Sequence, residues 1–193
     1  MEKIDLYTKD KVKLNKVFIR HQDILFDNEY YLLEQAWIIN DNKEILLTRR
    51  SFNKSYGGLW EATAGHVKAG ETDIEGIQRE IYEELGLNIK KSDFNFVKSL
   101  IKKQAILDIW IIRSNIKIED LNLKNDEVID AKFVSFDEFK KMLDNNEVVD
   151  NLSYFIDVYN NLWIINYLVY YIRCMKIISL YWNDFYFHIY FLT

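Results

Sequence analysis

A mixed α/β domain is the fold class this sequence predicts, on three observations. Segments rich in aromatic and β-branched residues recur along most of the chain, one segment among them carries the three-to-four-residue apolar period of a helix, and a second helix start follows the last of them. Strands, a glutamate-rich helix, more strands and another helix give the order of a sheet with helices packed on it. At 193 residues, 49% of them hydrophobic, the chain can bury one good core and carry a small appendage.

The opening segment, to about Asp27, mixes charge with short apolar stretches. Tyr30 to Asn40 (YYLLEQAWIIN) reads as a strand, Asp41-Asn42-Lys43 as a turn, and Glu44 to Arg49 as the second arm of a hairpin, without the Asn-Gly pair that favours the tightest turns. SFNKSYGGLWEATAG follows as a loop with Gly57-Gly58 as its flexible point. From Thr72 to Leu85, the positions Ile74, Ile77, Ile81 and Leu85 keep helical spacing, and Gly86 stands where a left-handed C-cap is wanted. Phe94 to Leu100, Ala105 to Ile112 and Asp130 to Val134 read as further strands, and Ser135 to Glu138 has capping-box spacing at the start of the helix FDEFKKML.

From about Asn160 the composition changes: glutamate disappears and aromatics become dense. Arg173 and Lys176 interrupt this apolar run after about a dozen residues, whereas a membrane-spanning helix needs roughly 20. The expectation is one domain over 1–160 and an aromatic-rich helical extension over 161–193. The extension is either a helix docked on the domain, a dimer surface that would make the protein a homodimer, or a segment that promotes association. Truncation after Asn160 is expected to leave a soluble, active domain with less self-association, measurable by size exclusion.

A net charge of −5 argues against coating a nucleic acid polymer, and an acidic protein that handles phosphates needs metal ions to do so. The single cysteine, Cys174, cannot form an internal disulfide, and MEKIDLYTKDK lacks the apolar core of a secretory signal, so a cytoplasmic protein is expected.

Glu80, Glu83 and Glu84 project from adjacent turns of the predicted helix toward one region. At an effective dielectric near 20, two such charges about 5 Å apart repel by roughly 3 kcal/mol, so a cation belongs among them unless they are simply a solvated helix face. All-oxygen ligands select hard ions such as Mg²⁺ or Mn²⁺. Glu71 can reach the same region if its loop folds back, and Arg79 is placed to pair with a carboxylate and fix its rotamer.

The whole frame decides between these readings. Gly65, five residues, Glu71, seven residues, Arg79-Glu80, Ile81, one residue, Glu83-Glu84, one residue, Gly86 and Leu87 resembles, without a mismatch, the signature box of the Nudix hydrolases. That resemblance covers about residues 30 to 145, because DEVIDAKFVSFDEF is similar to the family's closing strand and helix. It implies an α/β/α sandwich with a mixed sheet, and a Mg²⁺- or Mn²⁺-dependent hydrolase that cleaves a nucleoside diphosphate linked to another moiety. By position, Glu80, Glu83, Glu84 and the carbonyl of Ala64 resemble the metal ligands, and Glu71 and Arg79 the pair that orders helix and loop. Ala64 replaces a frequent glycine, and Gly76 weakens the helix interior by about 1 kcal/mol relative to alanine. The general base is Glu83 or a carboxylate of a later loop, Glu119, Asp120 or Glu127.

Upstream, LTRRSFNKSYGGLWEATAGHVKAGE resembles the branch that includes isopentenyl diphosphate isomerases. Isomerisation in that branch relies on a cysteine, and none occurs near the box, so hydrolysis is favoured. A binding module that senses a nucleotide or sugar diphosphate is the alternative outside catalysis. Arg49, Arg50 and Lys54 are either phosphate contacts or a solvated basic strand end; His66 either faces the substrate or packs structurally. Trp60 is expected to fill the core.

Overall fold

The computed structural model describes residues 1–124 and 126–162. Up to Leu152 these residues form one compact unit. A seven-stranded sheet is built on β3 (Tyr31–Ile39), which runs parallel to β8 (Ala105–Arg113) in unbroken register from Tyr31 opposite Ala105 to Ile39 opposite Arg113. β7 (Phe94–Lys102) extends this side as an antiparallel neighbour of β8.

On its other side the sheet forks. β4 (Ile45–Arg50) meets β3 only at the hairpin root, Ile39 opposite Ile45, then turns away to pair with β9 (Val128–Val134) and β5 (Trp60–Glu61). The vacated edge of β3 is taken by β6 (Ala64–His66), with Gln35 opposite Ala64 and Leu33 opposite His66. A separate antiparallel hairpin, β1 (Lys3–Tyr7) and β2 (Lys13–Ile19), forms the segment whose sequence mixes charge and apolar residues.

Alternation along β3 and β8 sends side chains to two helical layers. Ala36, Ile38, Trp110 and Ile112 meet Ile77, Ile81 and Leu85 of α1 (Asp73–Leu85). Fully burying each of these three aliphatic side chains is worth about 1.5–3 kcal/mol. Trp37, one residue out of phase, packs edge-on against Phe139 of α2 (Phe136–Asp144) at 5.6 Å between ring centres. The result is the expected sandwich of helix, mixed sheet and helix. Strands β5 and β6 lie inside the stretch read as a loop: two- and three-residue strands show no periodicity of their own and exist because β3 and β4 offer them free edges.

α1 begins one residue later than its apolar spacing suggests, at a full capping box. Thr72 accepts from the Glu75 backbone N–H, and the Glu75 carboxylate accepts from that of Thr72 at 3.0 Å. At α2 only half of the expected box forms: Ser135 accepts from Glu138 N–H at 3.1 Å, while the Glu138 carboxylate pairs with Lys132 instead. Gly76 also has a packing role, because a Cβ there would lie 3.1 Å from Val67 Cγ2 and 3.3 Å from Val67 Cα. The helix approaches the end of β6 closely at this point.

The hydrogen bond from Thr72 N–H, and secondarily the Lys91 ammonium, hold the Glu75 carboxyl down at about 2. A depressed carboxyl contributes stability above its ordinary value of 4.5, and that contribution is lost as pH falls toward 2. Glu75→Gln keeps a capping oxygen but loses the charge. Its urea midpoint is expected to fall below that of the unaltered protein at pH 6, with the gap closing as pH approaches 2. A gap independent of pH would show that the charge is not what stabilises the cap.

Beyond Leu152, residues 155–162 are helical, and the Phe155 and Tyr159 rings meet edge-on at 6.1 Å. From Trp163 on, the extension expected at 161–193 lies outside the described residues. Among the described residues, no helix is long and apolar enough to cross a membrane.

Candidate active site

The fork between β4 and β6 opens a pocket of about 580 Å³, within the range of small-molecule sites. Ala64, Gly65, His66, Arg79, Glu80 and Glu83 line one side; Arg50, Lys54, Glu61 and Glu127 line another.

Arg79 organises the helix side. Its Nε and Nη2 donate to the two oxygens of Glu71 at 2.7 and 3.1 Å, Nη1 donates to Glu80 at 2.7 Å and to Glu83 at 3.0 Å, and Nη2 also donates to the His66 carbonyl at 2.8 Å. Glu71 accepts in addition from Lys68 N–H at 2.9 Å, which folds the loop back as the sequence suggests. Burial pulls the Glu71 carboxyl up, but the hydrogen bonds from Arg79 and Lys68 outweigh it, and the carboxyl sits below its ordinary value. The guanidinium gives up part of its solvation, and its carboxylate partners more than compensate, so it stays charged.

The other box carboxylates are less well compensated. Burial pushes the Glu80 carboxyl up despite Arg79. Glu84 is 2% exposed; burial first, then the charges of Glu61 and Glu80, raise it well above the usual carboxylate range. Its Oε2 has no hydrogen-bond partner among the described residues. A buried carboxylate oxygen without a donor costs about 1–3 kcal/mol or more, and a hard cation is the group that would satisfy it. Glu80, Glu83, Glu84 and the carbonyl of Ala64 are donors of the type a divalent metal selects; Glu84 does not line the pocket, and among the described residues the three carboxylates, with Arg79 on Glu80 and Glu83, are not drawn together into one group of ligand oxygens.

Glu61 is the acidic neighbour that sequence reasoning missed. It is buried on β5, ion-paired to Arg50 Nη1, and still raised, with burial the main cause. Read as a strand, WEATAG would have offered a lone carboxylate on an apolar stretch, but two paired residues give no alternation to read. Glu2, Arg20 and Tyr56 also line the pocket without having been singled out.

Of the expected phosphate contacts, Arg50 and Lys54 line the pocket, and Lys54 is paired with Glu127 at 2.8 Å. Arg49 is not among the lining residues: its Nε donates to the Gly58 carbonyl at 2.9 Å and its guanidinium lies 5.8 Å from both the Phe52 and Trp60 rings. Trp60, expected as core, is half-buried, with Lys132 Nζ 4.8 Å from its ring on β5. His66 lines the pocket 5.1 Å from the Tyr31 ring, and burial, followed by the Arg20 charge, lowers it to about 4, leaving it neutral near pH 7. Among the later-loop carboxylates Glu127 lines the pocket, whereas Glu119 and Asp120 are exposed on a separate 3-10 turn.

The NUDIX domain family matches residues 35–152, the span that carries all the residues lining this pocket except Glu2, Arg20 and Leu33. The chain belongs to the Nudix family. It is similar to an uncharacterized Nudix hydrolase of Listeria monocytogenes, 29% identical over 151 residues and covering 77% of this chain and 89% of that one. It is also similar to an isopentenyl-diphosphate Delta-isomerase of Klebsiella pneumoniae, 28% identical over 118 residues, 56% of this chain and 63% of that one. Among solved structures, DR0079 from Deinococcus radiodurans has the same fold (TM-score 0.64, 18% identity, 77% of this chain and 92% of that one). So does the NUDIX domain of Shewanella oneidensis NrtR complexed with ADP ribose (TM-score 0.56, 13% identity, 75% and 94%). This chain is a Nudix hydrolase.

Proposed function

We propose that this Nudix hydrolase uses Mg²⁺ or Mn²⁺ to cleave the diphosphate bond of a small molecule in which a nucleoside diphosphate is linked to another moiety. The observation that carries this reading is the Glu84 carboxylate, buried within reach of the Glu61 and Glu80 charges, with an oxygen that has no hydrogen-bond partner among the described residues. A carboxyl buried in this way calls for a proton or a cation, and a cation gives the glutamates of the box a shared purpose. The NrtR domain complexed with ADP ribose supports the substrate class.

In this reading each side chain has a physical task. Glu80, Glu83, Glu84 and the Ala64 carbonyl would hold the divalent ion, and the chemistry it would supply is neutralisation of the diphosphate oxygens. Arg79 fixes the rotamers of Glu80 and Glu83 and ties them to Glu71, so the carboxylates are ordered before substrate arrives. Arg50 and Lys54 supply positive charge across the pocket for the leaving phosphate, and His66, neutral, contributes a hydrogen bond rather than a charge. Of the candidate general bases, Glu83 and Glu127 line the pocket and are the ones that would take a proton from water.

Similarity to the isomerase keeps isoprenoid isomerisation as a second reading. None of the described residues lining the pocket is a cysteine, on which that chemistry relies.

A panel of nucleoside diphosphate derivatives, assayed by product separation with Mg²⁺, Mn²⁺ or EDTA, tests the proposal. Turnover of at least one member with metal and none with EDTA is expected. Folded protein that turns over no member would overturn hydrolysis in favour of a diphosphate-binding module.

A further inference from the structure

A second set of carboxylates lies away from the pocket. In the parallel register of β3 and β8, Glu34 stands opposite Asp108, on the face covered by α1. Asp73, the first residue of α1, completes a group of three in which one carboxylate oxygen from each residue lies within 4.8 Å of those of the other two. None of the three lines the pocket, although Leu33 and Gln35, the neighbours of Glu34 on the other face, do. Neither the box nor the proposed hydrolysis uses them.

Two of these carboxylates are almost wholly removed from water: Glu34 is 0% exposed and Asp108 1%. Each has one oxygen fixed by a neutral donor, Glu34 Oε2 by Trp110 Nε1 at 2.5 Å and Asp108 Oδ1 by Ser99 Oγ at 2.5 Å. Their remaining oxygens differ. Asp108 Oδ2 takes the Lys11 ammonium, which also lies 3.4 Å from Asp73 Oδ2, whereas Glu34 Oε1 is buried with no hydrogen-bond partner among the described residues. Lys11 comes from the turn between β1 and β2, so among the described residues one tethered cation faces three carboxylates. Burial of acidic groups at this ratio requires either protons or a further cation.

We propose that Glu34, Asp73 and Asp108 form a second divalent-cation site, for a hard ion of the Mg²⁺, Mn²⁺ and Ca²⁺ class, in which Lys11 competes with the ion. The donors are all carboxylate oxygens, the type such ions select. Two ligand oxygens on opposite sides of such an ion at about 2.1–2.4 Å are separated by roughly 4–5 Å, which matches the observed spread. The Glu34 oxygen that no donor reaches is the position a metal ion fills and a lysine has left unfilled. Asp73 and Lys11 are partly exposed, with side chains 41% and 31% accessible, and provide the route from solvent. A site that joins the start of α1, two central strands and the hairpin turn would act on stability rather than on bond cleavage.

Mn²⁺ itself is the probe, counted by electron paramagnetic resonance on the full chain. With Glu80, Glu83 and Glu84 changed together to Gln, one bound Mn²⁺ per chain is expected to remain. In that background Asp108→Asn or Asp73→Asn should weaken binding by about tenfold or more, and Lys11→Met should tighten it. In the otherwise unaltered chain, Asp73→Asn, half-exposed at a helix start, should lower the count by one while Mn²⁺-dependent turnover persists. No Mn²⁺ bound by the box-neutralised chain, binding indifferent to all three changes, or a count unaltered by Asp73→Asn would overturn the site. Absence of turnover in the unaltered chain would count against the hydrolase reading alone, because the metal count is read independently.

Discussion

Glu83→Gln is expected to lower metal-dependent turnover by more than about 100-fold while leaving the fold intact. Glu83 is half-exposed on α1; one oxygen accepts from Arg79 Nη1 at 3.0 Å and the other lies 3.9 Å from Lys68 Nζ. Glutamine keeps an acceptor for Arg79 and the same length and helical preference, so the loss to stability is that of one partly solvated ion pair, about 0–1 kcal/mol. What disappears is the negative charge at the pocket wall, which both a metal ion and a departing proton require. Glu127→Gln separates the two uses. If Glu127 is the base, its change lowers kcat without weakening Mn²⁺ binding, whereas Glu83→Gln lowers both. Turnover close to that of the unaltered protein with Mg²⁺ would remove Glu83 from the site. Glu75→Gln is the matching control, because its side chain caps α1 and pairs with Lys91 outside the pocket.

These expectations rest on a site whose legibility in the sequence was uneven. α1 was readable because everything that defines it is local: the apolar period, Gly86 at φ 71° accepting the left-handed cap, and carboxylates three and four residues apart. The salt-bridge role of Arg79 was readable as well, since Glu80 and Glu83 are its helical neighbours and the loop to Glu71 is short. Glu61 was not, because its place depends on β5 pairing with β4, and Glu34 with Asp108 was not, because their proximity comes from the parallel pairing of β3 with β8, distant in sequence. Arg49 and Arg50 are adjacent, yet only the second lines the pocket, since alternation along β4 sends them to opposite faces. The choice between Glu119, Asp120 and Glu127 likewise turns on where a loop of many residues returns to the sheet. Contacts that depend on chain topology leave no mark on spacing.

Gly65→Ala is expected to cost activity on the order of 100-fold, with a smaller loss of stability, about 1–3 kcal/mol. A Cβ at residue 65 would lie 1.9 Å from Glu80 Cδ, 2.1 Å from its Oε1 and 2.2 Å from its Cγ, distances no pair of atoms tolerates. The backbone cannot retreat easily, because Gly65 sits in β6 opposite Glu34 of β3, at the middle of a three-residue pairing. Glu80 therefore has to move, and it is the softer partner, a flexible side chain held mainly through Arg79 Nη1 at 2.7 Å. Once displaced, its carboxylate leaves the wall it shares with Glu83, and Arg79 loses one of the acceptors that fix it. The glycine that opens the box is thus needed for space, since its φ is not in the left-handed region. A double-mutant cycle with Glu80→Ala isolates the clash. If crowding against Glu80 is the cause, Gly65→Ala should destabilise the Glu80→Ala protein by much less than the unaltered one, while activity stays low in both. Gly65→Ala protein that keeps full turnover and an unshifted melting temperature would show that Glu80 works from a position other than the one it occupies beneath Gly65.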